Sequence, residues 1–535
     1  MKGRLILLVL FSSLLLALAL PNEVFVTGNP LLGAFCLAPL FMALELAPSF
    51  RFASLLGVIF GAVSTVLANY WLLFFREFAV WTLGGTVLGY IGYNALLAPF
   101  LYGLLRLPPC LLPRSLKPLV LAMAWSLYEY LKSVGFLGYP WGLIAYPVHM
   151  ILPLIQFVDL TGIWGLSFLM ALINAVAAEG LLGLSGSRLP SSRALPGWKG
   201  TAVFTAALTL ACLGYGAFRL TTGIPSEKSA ELLLVQQNTD PWSSGGVLES
   251  VKVNQMLTRQ GLKQAPGKPD LVVWSENSLG YALIGNERFF SQNPKGDPLL
   301  PFFAEAGTYF LLGAPLVLNR EQAMNATLLL SPGLEVLDTY GKQHPVPFAE
   351  SVPFWEVDWV RRLFDEVIGL EAMWTMGSRN TVFRLPLRKG GCLSFSTPIC
   401  FEDAFADLCR RFILEGAELW INLTNDSWSK TVSAEVQHYV AARFRAVENR
   451  RVLIRSTNGG VTVVVGPKGE EIARLPLFAP NHLYVRIPVY GEARFTPYTL
   501  YGDYLPLCFA GLLLILLLGQ FFRRPAGPPL YLKRS

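Results

Sequence analysis

Residues 392–403 read CLSFSTPICFED, an apolar run that ends at a proline, a cysteine and two adjacent carboxylates. The first five residues of this run have the length and composition of a buried β-strand. A cysteine at the end of such a strand is held by rigid backbone and can still be reached, which suits a nucleophile. A buried structural cysteine gives the same pattern, so Cys400 alone does not decide between the two interpretations.

Two further stretches place a base and a cation in comparable positions. Residues 270–276 read DLVVWSE, an apolar strand ending in a carboxylate, and residues 340–350 read YGKQHPVPFAE, a proline-broken loop. A thiol needs a base to become a thiolate, and a cation to stabilise the oxyanion formed when it attacks a carbonyl. Glu276 and Lys342 could supply both, which favours a catalytic Cys400.

The composition indicates an integral membrane protein. Of 535 residues, 53% are hydrophobic and only 15% are charged, whereas a soluble protein carries about 25% charged residues. The apolar runs crowd residues 4–222 and return at 504–522, while residues 230–495 resemble an ordinary globular domain. The net charge is +7, and the basic residues flank apolar segments, so we expect no nucleic-acid partner. The seven cysteines show neither a disulfide framework nor metal-type spacing.

Apolar runs of the length that crosses a bilayer predict eight membrane spans. These are residues 4–20, 30–48, 53–75, 79–105, 117–131, 160–184, 200–222 and 504–522. The first run could be a cleaved signal peptide, but no convincing small-x-small cleavage site precedes Pro21, so we expect a retained helix.

The basic residues favour one orientation. With the N-terminus inside, the inner loops and the tail carry most lysines and arginines, and the short outer loops carry only Arg76 and Lys132. We therefore predict a membrane domain of seven helices at 1–222, an outer globular domain at 223–503, and a C-terminal helix with a basic inner tail at 504–535.

The segment 132–160 contains too many glycines and prolines to span. We expect its aromatic rings in the headgroup layer. They are Phe136, Tyr139, Trp141 and Tyr146. Glu129, near the end of a predicted span, is either a functional carboxylate or a side chain that reaches the interface beside Lys132.

From Glu231 onward, short apolar strands alternate with helices, which indicates a layered α/β domain with buried sheets. The predicted strands are residues 232–236, 271–274, 309–313, 326–330, 392–396, 419–423, 452–456, 461–465 and 483–487. The predicted helices are residues 247–264, 300–307, 404–415 and 434–449.

The motifs WSE at Glu276, YxKxHxVPFxE at Lys342 and CxED at Cys400 resemble the Glu-Lys-Cys triad of the nitrilase (carbon–nitrogen hydrolase) superfamily. Eight spans flanking such a domain resemble one branch of it, the bacterial apolipoprotein N-acyltransferases. The resemblance covers nearly the whole chain. It includes GYPW at 138–141, GIWG at 162–165, VQ at 235–236, Asn325, NLTNDSW at 422–428, QH at 437–438, Arg443, RA at 445–446, EN at 448–449, Asn458 and YGD at 501–503.

The resemblance implies an α-β-β-α sandwich and a ping-pong acyl transfer, the last step of lipoprotein maturation, that needs neither cofactor nor metal. Glu276 would be the proton acceptor and Cys400 the nucleophile. Lys342 and the backbone N–H of Phe401 would hold the oxyanion. A phospholipid would be the acyl donor and a diacylglyceryl-cysteine lipoprotein the acceptor. The protein would be a monomer in the bacterial inner membrane, with a periplasmic catalytic domain and cytoplasmic termini.

The resemblance assigns supporting roles as well. Glu350 would orient Lys342 or help to protonate the leaving group, Glu402 would support the nucleophile, and Trp242 would contact substrate. Three motifs depart from the family pattern. This chain has Phe401 where the family usually has Tyr, HPVPFAE where it has HLVPFGE, and NDSWSK where it has NDxWFG.

Several residues keep two interpretations. The Asn425-Asp426 pair suits a turn as well as a site. His438 suits a hydrogen-bonded structural role more than a metal ligand. Arg445 and Glu448 could form an ordinary surface pair. Residues 352–374, rich in Trp and Phe, could be a mobile lid or a packed amphipathic cover.

Two other functions remain open at this point. A membrane-anchored amidase or nitrilase acting on a small amide would share the triad, although the membrane half argues against it. The other possibility is a non-catalytic membrane protein with a decayed hydrolase domain. The presence of Glu276, Lys342 and Cys400 argues against it.

Overall fold

The computed structural model describes the chain except for a set of short stretches. These are residues 1, 76–77, 136, 185–197, 227, 241–245, 348, 353–354, 356, 363–373, 492–493 and 523–535.

The first part of the chain is a bundle of helices. They are α1 (Lys2–Ala19), α2 (Pro30–Gly33), α3 (Ala38–Glu45), α4 (Phe50–Ala68), α5 (Ala79–Leu105), α6 (Lys117–Leu131), α7 (Leu152–Ile155), α8 (Val158–Thr161), α9 (Ile163–Leu184) and α10 (Trp198–Thr221). The later helices are α11 (Gly246–Gln264), α12 (Glu287–Phe290), α13 (Leu299–Ala306), α14 (Ala406–Leu414), α15 (Val432–Asn449), α16 (Pro497–Tyr501) and α17 (Tyr504–Phe521).

Six of the described helices are long and apolar enough to cross a membrane, namely α1, α4, α5, α9, α10 and α17. Two of the eight predicted spans are shorter. Helix α6 has 15 residues, which at a rise of about 1.5 Å per residue covers roughly 22 Å of a hydrocarbon core about 30 Å thick. The run 30–48 breaks into α2 and α3, so the prediction of one continuous span there is wrong.

Asn174 of α9 explains how this break is tolerated inside the bundle. Its side-chain amide donates to the carbonyl of Gly33 at 2.9 Å, and its side-chain oxygen accepts from the backbone N–H of Leu37 at 2.7 Å. Backbone groups freed at a helix break need such partners, because lipid offers none. The side chain of Asn174 thus takes the place of helical hydrogen bonds at the break. A hydropathy pattern cannot reveal this, because it contains no information on hydrogen-bond partners.

Residues 132–160 form turns and short helices, as predicted, but the rings described there lie at an internal junction. Trp141 is 4% exposed and its indole N–H donates to Gln437 of α15 at 2.9 Å. Tyr146 is also buried, and Phe136 lies outside the described residues. The described rings of this segment therefore pack against the second half of the chain, and the prediction that they face the lipid headgroups is wrong.

Glu129 does not reach the interface. It is 1% exposed, and one carboxylate oxygen accepts from the indole of Trp125 at 3.1 Å and from the backbone N–H of Ile144 at 2.8 Å. The interpretation of Glu129 as a carboxylate that extends to the headgroups beside Lys132 is wrong.

The second part of the chain contains two six-stranded mixed sheets. Their strands are β1 (Lys228–Gln236), β2 (Leu271–Val273), β3 (Tyr309–Val317), β4 (Ala323–Leu330), β5 (Val336–Gly341), β6 (Phe383–Pro386), β7 (Cys392–Ser396), β8 (Leu419–Thr424), β9 (Val452–Thr457), β10 (Val463–Val465), β11 (Glu471–Arg474) and β12 (Asn481–Val489). The strand orders are β12-β1-β2-β3-β4-β5 and β6-β7-β8-β9-β10-β11. Each sheet has one antiparallel edge strand, three parallel strands and two further antiparallel strands.

The sheets stack face to face between two helical layers. One face of the first sheet, with Leu232 and Val273, shares a core with Phe395 and Ile421 of the second sheet. Its other face, including Trp274, packs under α11 and α13. Helices α14 and α15 cover the outer face of the second sheet. Each large apolar side chain buried in these layers contributes about 1.5–3 kcal/mol, and the predicted α-β-β-α sandwich is confirmed.

Helix α15 lies between the second sheet and the membrane helices, and nearly all of its side chains are buried although many are polar. Arg445 and Glu448 are 2% and 0% exposed, so the interpretation of them as a surface pair is wrong. Glu448 also accepts from the backbone N–H of Ile163 at the start of α9, at 2.9 Å. Arg443 contacts His149 at 3.0 Å. The polar residues of α15 thus find partners on both sides of the helix.

Candidate active site

Cys400 begins a short 3₁₀ turn, Cys400–Ala404, shortly after β7 ends. Its backbone φ of +53° lies in the left-handed region, which non-glycine residues seldom adopt outside functional sites. The side-chain amide of Asn422 on β8 fixes this turn by donating to the carbonyls of Pro398 at 3.0 Å and Cys400 at 2.9 Å. The neighbouring parallel strand therefore holds the strained position of the thiol.

Glu276 follows β2, and both of its carboxylate oxygens are bound. One accepts from the side-chain amide of Asn325 at 2.8 Å and from the ammonium of Lys342 at 3.2 Å. The other accepts from the backbone N–H of Asn425 at 2.8 Å. The turn at Asn425 therefore does more than reverse the chain, because it also fixes the orientation of Glu276.

Lys342 follows directly on β5, and its ammonium lies between two carboxylates. It is 3.2 Å from Glu276 and 2.8 Å from Glu350. Asn325 donates to Glu350 as well, at 3.2 Å, and the backbone N–H of Val346 donates to Glu350 at 2.7 Å. We call Glu276, Lys342 and Glu350 the Lys342 cluster. Asn325 has no assigned role in the sequence-based prediction, although a polar residue leading into the apolar run 326–330 is a usable signal.

The charges of the cluster favour a neutral thiol beside a basic carboxylate. Burial raises the pKa of Glu276, an effect that Lys342 opposes and Glu350 reinforces. Burial also raises the pKa of Cys400 well above its ordinary value, and the charge of Glu276 raises it further. Burial alone would lower the pKa of Lys342, but Glu276 and Glu350 outweigh burial and hold it well above the usual range. The lysine therefore stays charged while the thiol awaits a base.

A cavity of about 430 Å³ connects these groups to the membrane helices. Cys400, Glu276 and Glu350 line one end. The remaining wall comes largely from the helical bundle and the segment 132–160. It includes Trp71, Leu72, Phe75, Phe78, Thr82, Gly85, Thr86, Gly89, Tyr90, Tyr93, Lys132, Tyr139 and Trp141. The thiol therefore opens into a mostly apolar space shared by both halves of the chain.

The chain matches known proteins over nearly its whole length. A family model described as the apolipoprotein N-acyltransferase N-terminal domain matches residues 12–176, and the carbon–nitrogen hydrolase model matches residues 235–494. The chain is 39% identical to apolipoprotein N-acyltransferase 2 of Treponema denticola, with 97% of each chain covered. It is 34% identical to the apolipoprotein N-acyltransferase of Borreliella burgdorferi, covering 90% of this chain and 89% of that one.

The chain belongs to the apolipoprotein N-acyltransferase family. It is therefore a multi-pass membrane acyltransferase, as the resemblance predicts.

In this acyltransferase, Glu402 joins the loop of Lys342 to the turn of Cys400. Its carboxylate accepts from the backbone N–H groups of Gln343 at 2.6 Å, His344 at 2.9 Å and Ile399 at 2.7 Å. Burial raises the pKa of Glu402 to about 7, although these backbone donors favour its charged form. Glu402 is 0% exposed and is not a wall of the 430 Å³ cavity, so its contacts suit positioning rather than chemistry.

Phe401 of the acyltransferase packs between the two halves of the chain. Its ring centroid is 4.8 Å from that of Phe405, 6.3 Å from Trp141 and 6.5 Å from Tyr139. The apolar ring fits this aromatic contact without a hydroxyl group.

A second buried cluster of charged side chains includes Asp403, three residues after Cys400. His438 is 3.2 Å from Asp403 and 3.0 Å from Asp426, while Arg455 contacts Asp403 closely and lies 3.5 Å from Asp426. We call Asp403, His438, Asp426 and Arg455 the Arg455 ring. Burial would lower the pKa of His438, but the charge of Asp426, with that of Asp403, raises it to about 9. The expected hydrogen bonding of His438 is observed, since its Nδ1 contacts both carboxylate oxygens of Asp426 at 3.0 and 3.1 Å.

Glu435, next to this ring, accepts from the hydroxyl of Ser429 at 2.8 Å. Burial and the charge of Asp426 raise the pKa of Glu435 well above its ordinary value, which favours its neutral form. The ring therefore consists of two aspartates and two cations without a further charge.

Two predictions fall on residues outside the described chain. Trp242, proposed as a substrate contact, is one of them. The segment 352–374, interpreted as a lid or a cover, is described only in part. Trp374 at its end does line the cavity beside Glu350.

Proposed function

We propose that the protein moves an acyl chain from a phospholipid to the N-terminal diacylglyceryl-cysteine of lipoproteins, through a thioester on Cys400. The observation that carries this proposal is the shared cavity. A thiol with an adjacent carboxylate opens into an apolar space walled by membrane helices. A lipid ester can reach such a thiol without leaving the bilayer.

In the first half of the reaction, the thiol of Cys400 gives its proton to Glu276 while the sulfur attacks the ester carbonyl. The ammonium of Lys342 and the backbone N–H of Phe401 stabilise the oxyanion. Collapse of the tetrahedral intermediate breaks the C–O bond, and the leaving alkoxide takes the proton back from Glu276. The products are a thioester and a lysophospholipid.

In the second half, the α-amine of the acceptor, in its neutral form, attacks the thioester. Glu276 accepts the amine proton as the C–N bond forms, and the sulfur takes it on leaving. The products are an N-acylated lipoprotein and a free Cys400 thiol. Glu350 holds Lys342 through both halves by its contact of 2.8 Å.

The catalytic domain is assigned to the periplasmic side of the inner membrane, with both termini in the cytoplasm. Among the described residues, five helices long and apolar enough to cross a membrane precede this domain, namely α1, α4, α5, α9 and α10. The number of crossings is odd whether both or neither of the two shorter predicted spans cross. The positions of the basic residues support the same orientation.

The test uses the full chain purified in detergent and a phospholipid with an isotopically labelled acyl chain, without acceptor. Wild type and Cys400→Ala are compared by intact mass before and after hydroxylamine treatment. Cys392→Ala is the matched control, because Cys392 is an exposed free cysteine of the same domain. We expect a hydroxylamine-labile acyl adduct on wild type and Cys392→Ala, and none on Cys400→Ala. No adduct on any variant, with hydrolysis of a small amide instead, would replace acyl transfer by a membrane-anchored amidase.

A further inference from the structure

Lys132, at the end of α6, is a buried cation that the proposed chemistry does not use. Its side chain is 3% exposed. Its ammonium donates to the hydroxyl of Tyr90 at 2.9 Å and to the backbone carbonyl of Trp141 at 2.7 Å. The Tyr90 hydroxyl also donates to the Trp141 carbonyl, at 3.1 Å, so the three groups form a closed triangle.

Both hydrogen-bond partners of Lys132 are neutral. Glu129 lies one helical turn earlier, but its bonded oxygen is occupied by Trp125 and Ile144. Among the ion pairs shorter than 4 Å that the described residues form, Lys132 takes part in none. An ammonium has three N–H donors, and two are used here. The charge of Glu129 attracts the ammonium without a hydrogen bond between them, so the third donor of Lys132 is left for a ligand.

The free side of Lys132 belongs to the same cavity as the nucleophile. Lys132 and Tyr90 line this cavity together with Cys400 and Glu276. The other cationic residue of the wall, His438, is bound on both ring nitrogens by aspartates. Among the cations of the described cavity wall, Lys132 is therefore the one with an N–H group left to donate to a ligand.

We propose that Lys132 binds the phosphate group of the phospholipid donor. This inference rests on the proposed function and adds the recognition step that precedes thioester formation. A glycerophospholipid carries one phosphodiester anion, separated from its ester carbonyls by the glycerol unit alone. A cation in the cavity of Cys400 can therefore hold the phosphate while the ester lies at the thiol. Lys132 would select phospholipids over uncharged acyl esters, whatever group the phosphate carries.

The test compares two acyl donors in single-turnover formation of the thioester by the full chain in detergent. One donor is a phospholipid, and the other is a p-nitrophenyl ester of the same fatty acid, which lacks phosphate and carries an activated leaving group. Lys132→Met is expected to slow acylation by the phospholipid about 10- to 100-fold, the worth of a charge-assisted hydrogen bond. Acylation by the p-nitrophenyl ester, and transfer from the preformed thioester to an acceptor lipopeptide, are expected to keep the wild-type rates.

Two further variants act as controls. Lys132→Arg keeps the charge and is expected to keep most of the preference for phospholipid. Lys117→Met removes another buried lysine of α6, which lies 3.8 Å from Glu45, and is expected to leave the ratio of the two rates unchanged.

Equal slowing of both donors by Lys132→Met would overturn the inference, because the lysine would then only support the shape of the site. Millimolar sodium phosphate is expected to leave the wild-type rate with phospholipid unchanged, since the acyl chains hold the lipid in place. Inhibition of wild type but not of Lys132→Met would make free phosphate the occupant and overturn the assignment to lipid. Failure of the proposed function has a different signature, namely that wild type itself forms no thioester with either donor.

Discussion

Two buried charge clusters meet at the turn of Asn425 and Asp426, and they differ by one cation. In the Lys342 cluster, two glutamates share one ammonium, at 3.2 and 2.8 Å. In the Arg455 ring, two aspartates alternate with two cations, and each aspartate contacts both. Lys342 and Arg455 are equally well buried, at 3% and 0% exposure.

The two clusters differ in whether a carboxylate is left without its own cation. A balanced ring has no spare charge, so its groups hold one another and the adjacent turn. The Lys342 cluster keeps one carboxylate in excess, and this carboxylate faces the cavity beside Cys400. A spare base with a raised pKa is what thiol activation requires. The following predictions remove or titrate one cation at a time, to test whether this difference determines function.

Removal of the shared cation should have the largest effect. Lys342→Met takes away the proposed oxyanion donor and leaves two buried carboxylates that compete for a proton, so Glu276 would no longer be the free base of the proposed reaction. We expect the single-turnover rate of thioester formation to fall by about 10³-fold or more. Lys430→Met, which removes an exposed lysine paired with Asp240, is the control and should keep the wild-type rate. A loss below about 10-fold for Lys342→Met would contradict the role of the excess carboxylate.

Removal of a cation from the balanced ring should act on stability instead. Arg455→Met leaves Asp403 and Asp426 with only His438, and breaking a buried pair in this way costs about 3–5 kcal/mol of unfolding free energy. The acylation rate per folded molecule should change little. Denaturation in detergent, combined with titration of reactive Cys400, separates the two quantities. Arg486→Met, at an exposed position, should alter the unfolding free energy by less than about 0.5 kcal/mol. A stable but inactive Arg455→Met would assign the ring to catalysis.

The pH dependence of stability tests the second cation of the ring and should give the smallest effect. The pKa of His438 is about 9 in the folded protein against an ordinary value of 6.5. Its stabilising contribution is therefore complete below pH 6.5 and is lost as the pH rises through 9. The loss is on the order of 3 kcal/mol. Thermal denaturation of wild type and His438→Gln between these pH values should show a decline in wild type that the variant lacks. Parallel curves would mean that His438 is neutral when folded.

The residues of the candidate site could be located from the sequence because each follows a short apolar strand. Glu276 and Cys400 come after β2 and near the end of β7, where a polar side chain can face a cavity while the strand stays rigid. Lys342 was expected in a proline-broken loop, and it lies in the loop that directly follows β5. The pairing of Lys342 with Glu276 depends on two strands far apart in sequence, which local patterns do not contain.

The missed strands share a physical cause. Strands β5, β6 and β11 carry polar or charged residues and form or adjoin sheet edges, so their sequences VLDTYG, FRLP and EIAR lack an apolar run. Because an edge strand faces solvent on one side, its amino-acid composition resembles that of a loop. The break between α2 and α3 was missed for the opposite reason, because residues 30–48 are uniformly apolar while their hydrogen bonds depend on Asn174.

The burial of helix α15 has a consequence for how this protein can be rearranged. A polar helix is stable inside the molecule only because Trp141, His149 and the backbone of Ile163 supply its partners from the membrane side. The catalytic domain is therefore not a detachable module. Soluble hydrolase domains can pass between proteins as independent units, but here a transplanted domain would expose a surface of unmatched hydrogen-bonding groups.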